Sequence, residues 1–379
     1  MSAQELTRSE NVLHRRAFLG GMGALGACQL LSPGSLWSQG SPANPRRLDL
    51  HHHFASERYK KRMAEVKRQG WDSFQGYSPE KALEAMDKAG VATAFLSCST
   101  PGVWLGDEFT IERDEAVALA RDMNDYAARI MSDHKGRFGL FATLPLPDVD
   151  ASLREIEYAF NTLHADGVGL LTSYGNHWLG EKMFEPVFDE LNRRNAVVYT
   201  HPTDASCCHS LANANPATLE WLTDTARSIM SMISENPSAV GGAGGGRGRG
   251  AGTPSPATRY ANIKFIWSHA GGSLVGVASR VVGTISAENL AHPAEPNSRL
   301  YHIRRFYYDT AGSANPILMQ ALAKLAGSSQ IVLGSDFPFG GNAPIVSIVE
   351  GLRTCGFTAE ELRGIDRENA VRILPKYKA

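Results

Sequence analysis

Four short stretches of the 379-residue chain each end an apolar run in a residue that can bind a metal: Leu48-Asp49-Leu50-His51-His52-His53, Val197-Val198-Tyr199-Thr200-His201, Phe265-Ile266-Trp267-Ser268-His269 and Ile331-Val332-Leu333-Gly334-Ser335-Asp336. An apolar run of about four to eight residues reads as a buried strand, and in a parallel α/β barrel the chemistry sits where the strands end. The four stretches therefore predict a metal site at one end of a barrel. Imidazole nitrogen together with carboxylate oxygen suits one borderline divalent ion, zinc first and manganese second. Alternate side chains of an extended strand share a face, so His51 and His53 point one way and His52 the other. His201 adds a third nitrogen and Asp336 an anionic ligand, which fills a tetrahedral shell. His269 is then read as an acid-base or polarising group, with ligation or a structural role as its alternatives, because the ordinary pKa of imidazole suits proton transfer near neutrality.

These residues need a scaffold, and the chain between them alternates strand and helix with short connections, the order of a parallel sheet wrapped by helices. Strands are predicted at Arg47–His53, Ala92–Ser97, Phe138–Thr143, Gly167–Thr172, Val197–His201, Ile263–Ser268, Phe306–Asp309 and Ile331–Gly334. Ser78 caps the first intervening helix, Pro79 occupies its first turn and Gly90 ends it. Further helices are predicted at Glu112–Asp133, Ala151–His164, Phe184–Asn195, Pro216–Ile233, Gly272–Ser286, Pro316–Ala326 and Ile345–Leu352, with a closing one at Arg367–Leu374. Eight strand-helix units make the fold an α/β class (β/α)8 TIM-like barrel, a single domain over residues 41–379. Ser238–Thr258 breaks the rhythm: its run of glycine, with Arg247 and Arg249, has few apolar side chains to offset ordering entropy. It is expected to be a mobile surface loop on the face opposite the chemistry. A phosphate-cradling loop is the alternative, but no Gly-Lys-Ser/Thr follows it.

A 43% hydrophobic content and a formal charge of -1 describe a globular protein with a sizeable core. No long run of Lys or Arg appears, which argues against a nucleic-acid partner and for a small molecule. The five cysteines form no framework, so stability is expected from the core. Residues 1–40 differ in kind. Arg15-Arg16 precede an apolar stretch from Ala17 to Leu31, and no charge follows until Arg46. The stretch is short of the roughly 20 residues of a membrane span and resembles a twin-arginine export signal, with Ser38-Gln39-Gly40 for cleavage. Export to a bacterial periplasm is the expectation. A lipid anchor at Cys28, from Leu25-Gly26-Ala27-Cys28, and an uncleaved, disordered leader on a cytoplasmic protein are the rivals.

Asp49-Leu50-His51-His52-His53-Phe54, Tyr199-Thr200-His201-Pro202, Ser268-His269-Ala270-Gly271-Gly272 and Gly334-Ser335-Asp336-Phe337-Pro338 together resemble the amidohydrolase-related, metal-dependent, non-oxidative decarboxylases. That group includes the aminocarboxymuconate-semialdehyde and γ-resorcylate decarboxylases, and the resemblance runs from about Arg47 to Leu374. Ala165 to Gly175, Pro186 to Arg194 and Tyr308-Asp309-Thr310-Ala311-Gly312 are similar to the 6-methylsalicylate decarboxylase branch. The resemblance implies a barrel of the metal-dependent hydrolase type. It also implies one divalent ion held by His51, His53, His201 and Asp336, a catalytic His269, and Asp336 as proton donor to the ring carbon that bears the carboxylate. Binuclear hydrolases of this type carry a carbamylated lysine after strand four, and Asp166 to Tyr174 contains no lysine. The Gly/Arg loop and the leader depart from the family pattern.

The expected function is decarboxylation of a hydroxylated aromatic acid of the 6-methylsalicylate kind, chelated to the metal through its hydroxyl and carboxylate oxygens. A metal-dependent hydrolase of a lactone or amide is the alternative, and a non-catalytic metal-binding envelope protein a second one. Phe54, Trp104, Tyr174, Trp178 and Phe337 follow strand ends and are candidates for the apolar walls of the pocket. Arg58 is a candidate for the substrate carboxylate. Cys207-Cys208-His209 is expected to pack in a loop and not to bind a second metal. A homodimer is expected, with no membrane span and no nucleic acid.

Overall fold

Each apolar run pairs in parallel with the next: β1 Arg47–His53, β2 Val91–Ser97, β3 Phe138–Thr143, β4 Gly167–Leu171, β5 Val197–His201, β6 Lys264–Trp267, β7 Tyr307–Asp309 and β8 Ile331–Val332. The computed structural model describes residues 46–66, 72–104, 113–205, 207, 211–235, 253–341 and 343–378. The leader, Cys28 and most of the Gly/Arg-rich loop lie outside these. The ring closes because the segment after β8 returns to β1: Leu50 N donates to Leu333 O at 2.9 Å, Asp336 N to His51 O at 2.9 Å and His53 N to Phe337 O at 2.8 Å. The chain is a (β/α)8 barrel.

Eight helices cover it: α1 Pro79–Lys88, α2 Arg113–Asp133, α3 Val149–Asn161, α4 Glu185–Arg193, α5 Pro216–Ile233, α6 Leu274–Val282, α7 Pro316–Ala326 and α8 Pro344–Thr354. Ser78 caps α1 by accepting from Lys81 N, as its Ser-Pro start requires. Leu48, Leu50, Phe95, Phe141, Tyr199, Ile266 and Val332 form one buried cluster with Ile373 and Leu374 of the chain's end. A second, larger cluster lies between strands and helices. No described helix is long and apolar enough to cross a membrane.

Several predicted boundaries move for local reasons. α6 starts at Leu274 and not at Gly272, because residues 269–272 all take positive φ (51°, 58°, 75° and 63°) and form a left-handed turn. β8 pairs with β7 only through Val332, since Leu333 N turns to Ile365 O. The closing helix begins earlier than Arg367, in a wide turn at Gly364–Glu368 that runs into Asn369–Ile373. Asn369 Nδ2 there donates to Ile331 O at 2.7 Å. The last residues assigned to the Gly/Arg loop are not loop: Ser255 is buried and caps a short helix, Pro256–Arg259. A hairpin, Ser173–Tyr174 with His177–Trp178, and a helix, Glu57–Val66, were not anticipated.

One irregularity bears on the chemistry. Asp49 lies opposite Ala94 and His52 opposite Leu96, so β1 uses one more residue than β2 over this stretch. Such a bulge re-aims side chains. Leu48 and Leu50 join the inner cluster below it, and His51 and His53 converge above it.

Candidate metal centre

His51 and His53 bring their Nε2 atoms to 2.9 Å from each other. Asp336 Oδ1 lies 3.1 Å from the first and 3.2 Å from the second. The His201 ring stands edge-on to both, with centroids 5.3 Å and 4.6 Å away. One donor atom from each of these four residues falls within a group no wider than 4.8 Å. Asp336 reaches the group because its backbone turns left-handed, with φ 63°. Its Oδ1 is buried without a hydrogen-bond partner, yet the side chain as a whole is 23% exposed, which leaves the second oxygen within reach of a ligand.

The tautomers follow from the outer nitrogens. His51 Nδ1 lies 2.7 Å from Asp309 Oδ2, His53 Nδ1 3.2 Å from Ser97 O, and His201 Nδ1 2.8 Å from Pro202 O. Asp309 Oδ2, Ser97 O and Pro202 O accept only, so each Nδ1 donates and each Nε2 is the nitrogen turned to the centre; Ser97 Oγ, 3.3 Å from His53 Nδ1, gives its own proton to His52 O. Three Nε2 atoms and a carboxylate oxygen thus face one point, an arrangement that fits a divalent cation, which would displace any proton held there. The titration of the protein groups tells the same story. Burial lowers His51, but the Asp309 and Asp336 carboxylates outweigh it and raise its pKa to about 10. Burial holds His53 below its ordinary value, and burial with the neighbouring imidazoles holds His201 well below it. For Asp336 the neighbouring imidazoles outweigh burial and keep the carboxyl well below its usual range. The site thus holds a positive charge against Asp309 and Asp336, on His51 itself until a cation takes the place of its Nε2 proton.

His269 sits beside the group, its ring centroid 5.0 Å from that of His51 and 5.8 Å from that of His201. Its Nδ1 lies 3.0 Å from Ala311 O, and its Nε2 is buried without a protein partner. The structure therefore brings together all five residues expected at the centre. Across the barrel wall, His52 points away, with Nδ1 3.0 Å from Asp49 Oδ2.

The profile of the family described as Amidohydrolase matches residues 48–244. The chain belongs to the amidohydrolase family. Decarboxylase yanB of Aspergillus niger is 33% identical over 350 residues, spanning 88% of each chain. The 6-methylsalicylic acid decarboxylase of Penicillium expansum is 31% identical over 341 residues, 88% of this chain and 97% of that one. A solved dihydroxybenzoic acid decarboxylase from a Polaromonas species, with manganese and 2-nitroresorcinol bound, superposes with a TM-score of 0.68 at 19% identity, over 88% of this chain and 98% of that one.

The walls of this amidohydrolase's centre differ from expectation. Phe54 is fully buried and stacks on Tyr126 of α2, behind the barrel wall. Phe337 stacks on the outward His52 at 4.5 Å, because it follows the turn at Asp336 on the far side of β1. Tyr174 is buried against Phe184, with its hydroxyl accepting from Leu171 N. Arg58 is 45% exposed and pairs with Glu115 on the surface at 2.7 Å. Trp104 packs on the helix-side core. Trp178 is partly exposed and donates through Nε1 to the buried Asp224 at 2.7 Å. Cys207 is exposed, and Cys208 and His209 lie outside the described residues.

Other aromatic side chains stand at the centre. Phe339 is 5.8 Å from His53, Phe74 is 6.4 Å from His53 and 5.0 Å from Phe339, and Trp221 is 5.9 Å from His201. Phe339 lay two residues beyond a residue already singled out. Phe74 lies within the short helix Asp72–Gln75 and Trp221 in the second turn of α5, and neither carried a signal. Asp309 did carry one: Tyr307-Tyr308-Asp309 ends an apolar strand in a polar residue like the other four.

Proposed function

We propose that this amidohydrolase is a metal-dependent, non-oxidative decarboxylase of a hydroxylated aromatic acid, a carbon-carbon lyase acting on a substrate of the 6-methylsalicylate type. The observation that carries the reading is the convergence of three imidazole nitrogens and Asp336 Oδ1 beside the unpartnered Nε2 of His269. The similarity to fungal decarboxylases across 88% of the chain supplies the reaction class. His51, His53, His201 and Asp336 are the residues that would hold the ion, zinc by its donor set and manganese as the alternative. When bound, the ion supplies positive charge to the substrate's hydroxyl and carboxylate oxygens.

The protein's own part is orientation and proton delivery. Phe339, backed by the buried Phe74, and Trp221 offer flat apolar surface for a ring, whose plane is then fixed relative to His269 and Asp336. Asp336 is held ionised and His269 Nε2 has no protein partner, so one of them first takes a proton, which the substrate's hydroxyl can supply, and then hands it to the ring carbon bearing the carboxylate. That carbon gains a C–H bond, its bond to the carboxylate carbon breaks, the electron pair restores the aromatic ring, and CO2 leaves. Burial keeps bulk water from competing for the same proton.

The test is headspace CO2 from zinc- or manganese-loaded protein given 6-methylsalicylate and a series of hydroxybenzoates, with Asp336→Asn as control. Release of CO2 that the control loses supports the reading and ranks the ring substituents. No release from any acid, with turnover of a lactone, would replace it by the hydrolase.

A further inference from the structure

We infer that Asp309 is a positioning residue that couples the metal centre to His269, one carboxylate setting the ion-facing nitrogen of His51 and the backbone and ring of His269. The inference rests on the metal-dependent reading above. Asp309 ends β7, is fully buried and lies between the two histidines. Its Oδ2 takes the Nδ1 proton of His51 at 2.7 Å. Its Oδ1 accepts from His269 N at 2.8 Å and from Ala311 N at 3.0 Å.

The two oxygens do different work. A carboxylate can only accept, so Oδ2 holds a proton on His51 Nδ1 and leaves Nε2 as the nitrogen that faces the ion, while its charge raises the basicity of that nitrogen. Oδ1 acts on the backbone. His269 has φ 51° at the head of the left-handed turn, a conformation that a residue with a side chain keeps only when it is held. The bond from His269 N to Oδ1 holds it. Oδ1 also fixes Ala311 through its N–H, and Ala311 O in turn takes the Nδ1 proton of His269 at 3.0 Å. The circuit closes on one side chain and leaves the His269 Nε2 bare beside the group.

The barrel is built to let this contact form. A Cβ on Gly334 would lie 2.7 Å from the Cβ atoms of both Asp309 and His51, so the segment that follows β8 can pass between them only as glycine.

Asp309→Asn separates the two arms. Its one oxygen can still serve the two backbone N–H groups, but its amide nitrogen then faces His51 Nδ1, which must accept, and the His51 proton moves to Nε2. The dissociation constant for Co2+ or Mn2+, measured by chelator competition, should rise roughly 10- to 100-fold. The 15N shift of His51 Nδ1 should change from that of a protonated to that of an accepting nitrogen, a signature that a mere loss of packing would not produce. Gly334→Ala leaves every donor in place and wedges Asp309 away from His51, so it should weaken metal binding in the same direction and disturb the His269 ring shifts as well. Parent metal affinity in folded Asp309→Asn, or unchanged His269 shifts in Gly334→Ala, would overturn the inference. Both readouts need no substrate. Weakened metal binding in a protein whose parent form releases no CO2 would keep the coupling and remove the decarboxylase.

Discussion

The two ends of the barrel treat buried charge in opposite ways. At the end where the strands begin, charges meet partners: Arg47 Nε pairs with Asp366 at 2.8 Å, and Asp166 takes Lys376 at 2.5 Å, Tyr377 Oη at 2.9 Å and Leu140 N at 2.9 Å. At the end where they finish, three imidazole nitrogens and Asp336 Oδ1 crowd one point, and Asp336 Oδ1 and His269 Nε2 are buried without a hydrogen-bond partner. The first arrangement stabilises the fold. The second destabilises it, because buried polar atoms are left without partners, and is tolerable because the rest of the barrel holds it in place. The difference marks which end does chemistry.

Substituting one aspartate at each end is the strongest way to break that contrast. Asp336→Asn should lower CO2 release by about 10³-fold or more, since it removes an anionic ligand and a proton relay together. Near-parent turnover in the metal-loaded variant would end the role given to Asp336. Asp166→Ala should do the reverse. It leaves Leu140 N and Tyr377 Oη without their acceptor and should cost about 2–4 kcal/mol in denaturant unfolding, with kcat close to parent. Half-exposed Lys376 adds little to that figure.

The same contrast explains what could be read in the chain. All eight strands were legible, because each is an apolar run short enough for a strand and bounded by polar or glycine residues. The five residues of the centre were legible because each ends such a run. What alternation could not show is the extra residue in β1, since a bulge is a property of pairing between Asp49–His52 and Ala94–Leu96 and not of either segment alone. The aromatic walls failed for a related reason. Beyond a strand end the period of two no longer applies, and the left-handed Asp336 decides that Phe339, and not Phe337, faces His53. Asp309 meets His51 across 258 residues of chain, a contact that only the closed ring creates.

A subtler probe of the stabilising end uses its buried histidine. His302, in the helix Arg299–Arg305, is fully buried with Nε2 2.9 Å from Thr258 Oγ1. Burial, and then the charge of Arg305, push its pKa down to about 4. The unfolded chain binds this proton below about pH 6.5, while the folded chain resists it down to about pH 4. Stability from this group is therefore complete above the upper value and is lost as pH falls through the window. Unfolding free energy should drop by about 1–2 kcal/mol between pH 7 and pH 5 on this account, and His302→Gln should flatten that segment of the profile. An unchanged slope in the variant would assign the loss to other groups.

The smallest expected effect tests the boundary between the catalytic mouth and the ordinary surface. Arg58 follows β1 closely enough in sequence to seem a carboxylate anchor, yet its guanidinium is 45% exposed and bound to Glu115 at 2.7 Å. An exposed pair of this kind contributes about 0.2–1 kcal/mol, and less as salt is raised. Arg58→Ala should leave kcat and KM for a hydroxybenzoate within about twofold of parent, with a stability change near the low end of that range. A tenfold rise in KM with kcat unchanged would mean that Arg58 leaves Glu115 to meet the substrate. The wall of Phe74, Phe339 and Trp221 would then orient the ring under an anchor drawn from outside the barrel, and the line between the two kinds of charge would run through α2 and not around the mouth.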